Sequence, residues 1–465
     1  MNKRVAKRYG LAVQAVLFAC LVAGCQTATG VRVDTAIATE AESVPSTWQT
    51  EKGTETRPDS WQALFDDPML RAFLERAETA NLDLVQAEAR IRQSEASLRQ
   101  SRALLGPRVT ANLSASGTAD LADFDNTTES GSSALSISWD PDVFGVNRDT
   151  VRAAELQLDV QRADTERLRR IILAQTARAY FQIVEADQQL LLAEENLTFL
   201  EETKRVSEVR FDAGDIARSD LALAELEFEN AVAGLRNQEF ASRAARRALS
   251  VLLGDFGDAD LRVATTLPTA SEVGLYAVPA RLLETRYDIL AGRAAVLAEL
   301  ASFDATRKSN WPTLLLTGRV SSSGAELEDL FDPDFYVASL VASLSGVLFD
   351  SGRNAAQVDA AEARIDAAVA AYAETVRAAV FEVNNAFDET ETLRAALAAL
   401  ERASASAEEA LALEQIKFDL GETILLDVLT VQRRVNAIQS ARISTERRLL
   451  DAQVDAHLAL GAFSL

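Results

Sequence analysis

From Arg108 to Ser116 apolar and polar positions alternate without a break. Val109, Ala111, Leu113 and Ala115 fall on one face, and Thr110, Asn112, Ser114 and Ser116 on the other. Leu135, Ile137 and Trp139 alternate in the same way with Ser136, Ser138 and Asp140. Leu314, Leu316 and Val320 alternate, less cleanly, with Thr313, Thr317 and Arg319. Tyr336, Ala338, Leu340, Ala342 and Leu344 carry apolar or small groups, with Ser339, Ser343 and Ser345 between them. A period of two predicts strands, at about 108–116, 133–140, 313–321 and 335–345. Runs of about ten residues suit tilted strands that cross a bilayer. The stretches between paired strands, Gly117–Ser132 and Ser322–Asp332, are acidic and polar, as expected of exposed loops.

A second texture fills most of the chain. The prolines stand at 45, 58, 68, 107, 141, 268, 279, 312 and 333, so none falls in 142–267 or after 333. Both Pro-free stretches are rich in Ala, Leu, Glu, Arg and Gln, all good helix formers. Helices are predicted from about Asn147 to Phe211 and from Ser219 to Leu253. Their counterparts run from Asn354 to Phe418 and from Leu425 to Leu460. At 1.5 Å per residue, a helix of about 65 residues spans roughly 100 Å, which implies a rod.

The halves repeat one another. Arg210-Phe-Asp-Ala-Gly214 and Lys417-Phe-Asp-Leu-Gly421 share a spacing that continues to Asp220 and Asp427, an offset of 207. Ala179-Tyr180 and Leu253-Gly254 match Ala386-Phe387 and Leu460-Gly461 at the same offset. Asn81-Leu-Asp83 and Pro107 match Arg286-Tyr-Asp288 and Pro312 at 205. A loop of altered length would leave such a slip. The unit is too long for a solenoid repeat. The reading is a mainly α chain with a membrane β part: repeat 1 over 61–254, a linker over 255–278, and repeat 2 over 279–465. The long hairpins occupy 146–254 and 352–461.

Four strands do not close a barrel, since the smallest membrane barrels have eight. An open edge in lipid leaves backbone groups unpaired at several kcal/mol each. Strands in a membrane would therefore need a barrel shared among chains; the other reading of the pattern is a soluble hairpin packed on helices.

The N-terminus adds an address. Lys3, Arg4, Lys7 and Arg8 precede a chiefly apolar run from Leu11 to Ala23. That run is shorter than the roughly 20 residues of a spanning helix, so 1–24 reads as a signal peptide. Leu21-Val-Ala-Gly-Cys25 resembles the bacterial lipobox, which implies diacylglycerol and N-acyl lipid on Cys25 and a lipid-anchored, extended segment over 25–60. Gln26, rather than Asp, follows the Cys and implies sorting to the outer membrane of a Gram-negative bacterium. One acyl anchor is weak, so stable attachment asks for several chains or a second membrane element. Cys20 would leave with the signal peptide, which removes disulfides and Cys-based chemistry from the mature chain. The formal charge of −23 over 465 residues argues against a nucleic-acid partner.

Lipobox, strand pair and long helical hairpin, all but the lipobox repeated, resemble the TolC-like outer-membrane factors, in particular the lipidated OprM/NodT branch. Trp61-Gln-Ala-Leu-Phe-Asp-Asp-Pro68 is similar to that branch's opening motif; Asp67 would cap a helix whose first turn holds Pro68. Trp139-Asp-Pro-Asp-Val-Phe-Gly145 resembles the strand-to-helix junction, echoed by Gly346-Val-Leu-Phe-Asp-Ser-Gly352. Tyr287 stands where the branch commonly has Pro. The resemblance implies a homotrimer with a shared twelve-stranded barrel and a twelve-helix tunnel. It implies an inner-membrane pump, of the RND type, joined through a periplasmic adaptor that docks on the hairpin turns at Arg210, Gly214, Lys417 and Gly421. It places channel-gate roles on Asp427, Asp220 and Phe418. Three copies of one Asp about an axis would favour cations. Thr430 and Thr423 replace a second acidic ring position and a gating Arg of some relatives. In the turns themselves, Gly214 and Gly421 suit the positive φ of a helix C-terminus, and Ser219 is placed to cap the returning helix.

Nothing supports catalysis. No Gly-rich phosphate loop, nucleophile elbow or HExxH is present, and no cofactor is implied beyond the lipid. The one His, His457, reads as a solvated or interhelical residue. Carboxylates stand beside Arg at helix-surface spacing, as Glu166 does with Arg170, and the Ala-rich run Ala355–Ala373 reads as a packing seam. The resulting expectation is a passive export duct for small molecules. A type I secretion duct of the same fold, and a lipid-anchored coiled-coil structural protein without a pore, are the alternatives.

Overall fold

The computed structural model describes residues 28–45, 47, 65–120, 123–258, 260–269, 279–324 and 332–461. Cys25, Trp61 to Leu64 and 270–278 lie outside them. Helix α1 spans Ala28–Ser43, α2 Pro68–Ala80 and α3 Leu82–Ala103, followed by strands β1 (Arg108–Asp120) and β2 (Asp123–Trp139). Helices α4 (Val146–Asp212) and α5 (Arg218–Leu252) complete the first repeat. The second contains α6 (Leu282–Thr285), α7 (Tyr287–Lys308), β3 (Thr313–Gly324), β4 (Val337–Ser345), α8 (Arg353–Asp419) and α9 (Leu425–Ala459). Both bounds of α4 and α5 reappear 207 positions later in α8 and α9, and those of α3 reappear 205 later in α7.

The chain forms two compact units, each drawing on both repeats. One combines 90–162 and 291–375 with the N-terminal stretch to Ser43; the other combines 44–89, 163–290 and 376–465.

The first unit holds one antiparallel sheet in the order β1-β2-β3-β4. Its register explains the alternation. Val109 faces Ile137, Ile137 faces Gly318 and Gly318 faces Leu340. Ala111, Leu135, Val320 and Ala338 form the next such row. Cross-strand partners share a face, so along these rows one face is apolar. On the other, Ser114 Oγ lies 2.7 Å from Ser132 Oγ, and Ser116 Oγ lies 2.9 Å from Ser130 Oγ. Gly318 is required here, because a Cβ at that position would meet Ile137 Cγ2 at 2.9 Å. Among the described residues no helix is long and apolar enough to cross a membrane.

The stretch Gly117–Ser132, expected as a loop, is largely strand: Gly117 pairs with Glu129, Thr118 with Thr128 and Ala119 with Thr127. Polar residues occupy both faces there, so the alternation disappears while the backbone ladder continues. The register also locates the slip between offsets. Ser116 pairs with Ser130, 14 positions on, and its counterpart Ser321 pairs with Val337, 16 positions on. The second hairpin is longer by two residues.

A further correction concerns 25–60, read as extended: 28–43 is the helix α1. Arg32 donates to Glu362 (2.9 Å) and Asp366 (3.1 Å), one turn apart on α8, and Val33 is buried. The Ala-rich run of α8 does serve packing, burying Ala361, Ile365, Tyr372 and Ala373.

The second unit is centred on Phe65, Leu70, Leu74, Tyr180, Phe181, Ile183, Leu249 and Leu253. Asp67 accepts from the N–H groups of Met69 (2.8 Å) and Leu70 (3.1 Å), with Pro68 opening α2. Its second oxygen accepts from the buried Tyr180 hydroxyl at 2.6 Å. Burial, then this carboxylate, raises the Tyr180 pKa. Between Leu261 and Leu267 the linker is packed. Leu261, Val263, Ala264 and Leu267 rest on the core, and Arg246, paired with Asp187 at 2.6 Å, donates to the Leu261 carbonyl.

Each hairpin is clasped at its base by the same contact made with different chemistry. Asn81 Nδ2 donates to the Leu252 carbonyl at 2.9 Å; Arg286 Nη1 donates to the Ala459 carbonyl, its counterpart, at 3.0 Å. Arg286 is buried and bound to Asp288 and Glu382. Glu166 pairs with Arg169 at 2.7 Å, not with Arg170. Arg170 instead donates to the Gly461 carbonyl at 2.6 Å and lies 4.4 Å over the Tyr287 ring. His457 is fully buried between helices, which excludes the solvated reading.

Candidate functional site

The turns between long helices are built alike in both repeats. At the end of α4, Asp215 N–H donates to the Arg210 carbonyl at 2.8 Å and Gly214 N–H to the Phe211 carbonyl at 2.9 Å. At the end of α8, Glu422 N–H donates to Lys417 at 2.8 Å and Gly421 N–H to Phe418 at 3.1 Å. This six-to-one closure satisfies the last helical carbonyls and needs a left-handed residue. Gly214 and Gly421 supply it, with φ of +82° and +76°. A Cβ on either would meet nothing within 4 Å, so the demand is purely on the backbone.

The returning helices start at Arg218 and Leu425, with Ala217 and Ile424 as caps. Ser219 is therefore inside the first turn rather than the cap. Asp220 fills the vacancy from within. As third residue of α5 it accepts the Ala217 N–H at 3.2 Å, the reciprocal half of a capping box whose other half an Ala side chain cannot make. Asp427, third residue of α9, accepts the Thr423 hydroxyl at 2.9 Å. Both carboxylates sit at the positive end of a helix dipole. Asp220 is half-buried and Asp427 is exposed.

Arg210 and Phe418 are brought together: the guanidinium lies 4.4 Å from the ring centroid. Phe418 rests on a cluster of Leu200, Ala224, Ala231, Leu425 and Leu429, drawn from α4, α5 and α9. Lys417 is turned away into a pair with Glu414 at 3.1 Å. The sequence offered no sign that Thr423 partners Asp427 or that Arg218, 5.8 Å from the Phe211 ring, braces the first turn. Thr423 and Asp427 are four apart across a helix start, where several acceptors compete, and Arg218 and Phe211 are seven apart across the turn. Among the described residues no cluster of His, Cys, Asp or Glu is arranged to hold a metal ion. The site offers fixed charge and aromatic surface at paired helix ends, chemistry suited to contact and to passage of charged species.

Comparison with known proteins agrees with this architecture. The family described as outer membrane efflux protein matches residues 73–255 and 278–462, one segment per repeat. The pyoverdine export outer membrane protein OpmQ of Pseudomonas aeruginosa is 29% identical over 96% of both chains. The outer membrane protein OprJ of the same species is 31% identical, covering 86% of this chain and 85% of its own. The open-state structure of the Neisseria gonorrhoeae MtrE outer membrane channel superposes with a TM-score of 0.80 at 26% identity, over 90% of this chain and 96% of that one. A duplicated hairpin matched twice by one family, with relatives alike along nearly their whole length, means that this chain belongs to the outer membrane efflux proteins.

Proposed function

We propose that three copies of this chain form one passive duct that carries small molecules across the outer membrane. The observation that carries this reading is the sheet. It is chiefly apolar on one face and carries the Ser114–Ser132 and Ser116–Ser130 hydroxyl pairs on the other, and within one chain β1 and β4 each have a neighbour on one side only. Lipid on one side and water on the other account for both faces. Twelve strands from three chains leave no edge. Twelve helices, two hairpins from each copy, line the tunnel.

The turns at Arg210, Gly214, Lys417 and Gly421 receive the helical tips of a periplasmic adaptor, which links the duct to an energised inner-membrane pump of the RND type. Asp427, Asp220 and Phe418 form the constriction. Its carboxylates are held in place by Thr423 and the Ala217 amide, and its ring by Arg210. Cys25 carries the lipid that ties each copy to the membrane. Support for small cargo comes from OpmQ, named for pyoverdine export.

Two measurements test this. The detergent-solubilised particle should contain three chains by mass, and in planar bilayers it should carry steady single-channel current. A particle of one chain, or one silent at every voltage, overturns the duct.

A further inference from the structure

The polar face of the sheet carries two cations. By the register, Arg108, Ser138, Thr317 and Val341 form one row across the four strands, and Thr110, Ser136, Arg319 and Ser339 form the next. Both rows lie on the face of the Ser114–Ser132 hydroxyl pair. Arg108 of β1 and Arg319 of β3 therefore project to the same side, with β2 between them. Both are exposed.

Within the ladder no carboxylate lies in a neighbouring row of this face. The row beyond Arg319 is Asn112, Ala134, Ser321 and Val337, and the row before Arg108 pairs Leu315 with Ser343. Arg319 is the one charged residue of β3, and β4 has none. Asp140 stands past the last ladder pair of β2 and accepts the Asp142 N–H at 2.8 Å. Among the described residues neither arginine makes an ion pair. The duplication accounts for neither charge: at the offset of 205, Arg108 corresponds to Thr313 and Arg319 to Ser114. The surroundings in sequence have the opposite sign. The connections 117–132 and 322–332 contain Asp and Glu but no Lys or Arg, in a chain of formal charge −23.

A guanidinium fork matches the paired oxygens of a carboxylate or phosphate and holds them bidentately. We propose that Arg108 and Arg319 form a cationic belt on the water-filled side of the barrel, a transit site for small molecules that bear anionic oxygens. This inference rests on the trimeric duct, in which two arginines from each of three copies place six guanidiniums on alternate strands. With no fixed counter-charge beside it, the belt recruits diffusible anions, and cargo carrying carboxylate or phosphate exchanges with them. Rings of Arg favour anions as rings of Asp favour cations, so the duct carries two filters of opposite sign, this one and the Asp427 carboxylates.

Citrate, a small tricarboxylate, is the probe. It is added to both baths while single-channel current through the full-length particle is recorded in planar bilayers. Citrate should reduce the wild-type current, and less so at about 1 M than at about 0.1 M KCl, because the screening length falls from about 10 Å to about 3 Å. Arg108→Gln and Arg319→Gln should each raise the citrate concentration for half block by about tenfold, and the double variant should lose block. In a KCl gradient the double variant should also shift its reversal potential toward cation preference. Block by trivalent cations, assigned to Asp427, should match the parent, which a general distortion of the duct would not leave untouched. Citrate without effect on a conducting wild-type duct, or block retained in the double variant, overturns the belt and leaves the duct standing. A wild-type particle without current removes the duct, and the belt with it.

Discussion

The Arg210 guanidinium lies over the Phe418 ring, joining the turn of the first repeat to the last helical turn before the second. Sequence resemblance had given these residues separate tasks, docking to one and constriction to the other. In the folded chain they share one contact, so a partner that displaces Arg210 also frees the ring. The strength of this contact is on the order of 0.5–2 kcal/mol.

We expect Arg210→Ala and Phe418→Ala each to raise the resting conductance of the duct, and the double variant to exceed the larger single effect only slightly. Planar-bilayer recordings give all three values. Fully additive increases would separate Arg210 from the constriction.

Removing the Asp427 carboxylate should raise resting current and weaken block by trivalent cations. Thr423→Val, which keeps the charge but removes its hydroxyl partner, should preserve block while broadening the open-level distribution. Unchanged current and block in Asp427→Ala would take this residue out of the gate.

The turn glycines differ from those at the hairpin bases. Gly421 has open space around it, so Gly421→Val costs only the left-handed backbone, about 1–3 kcal/mol. Trimer yield should survive while export is lost. At Gly461 a Cβ would meet Arg286 Cγ at 2.9 Å and the Thr285 carbonyl at 3.1 Å, besides a φ of +66°. Gly461→Ala should therefore lower the melting temperature more than Gly421→Val does. Equal losses would mean that the hairpin base yields.

Asp451 is a pH-dependent weak point. Burial pushes its pKa up to about 6; Arg447 and Arg178 oppose the shift, and Asp455 and Glu185 add to it. An unfolded Asp titrates near 3.9, so the fold holds the proton longer than the unfolded chain. Stability contributed by this group falls as pH rises from about 4 through 6, by an amount on the order of 2 kcal/mol. Asp451→Asn should raise the melting temperature at pH 7.5 and leave it nearly unchanged at pH 4. A gain of the same size at both values would sink this account.

Much of this was legible from residue order alone. Long Pro-free runs of good helix formers mark α4, α5, α8 and α9 to within a residue or two, because propensity sums over many turns. Alternation marks the strands where one side is apolar. It fails beyond Gly117, where Thr118 and Glu129 put polar groups on opposite faces, although the ladder runs on to Ala119 and Thr127. It also fails at α1, whose position depends on Arg32 reaching carboxylates 330 and 334 residues away. The turn geometry was legible because only Gly tolerates its backbone. The cap was not, because Asp220 and Ser219 are both plausible donors of oxygen and only the chain direction at Ala217 decides between them.

The equal lengths of the paired helices, 67 residues for α4 and α8 and 35 for α5 and α9, limit how such a chain can change size. One residue inserted in a long helix rotates everything beyond it by about 100° and advances it by 1.5 Å, throwing every later contact out of phase. The strand hairpins have no such phase to keep, and there the repeats already differ by two residues. Insertions and deletions should accumulate in the connections between paired strands, while the long helices keep a fixed gauge.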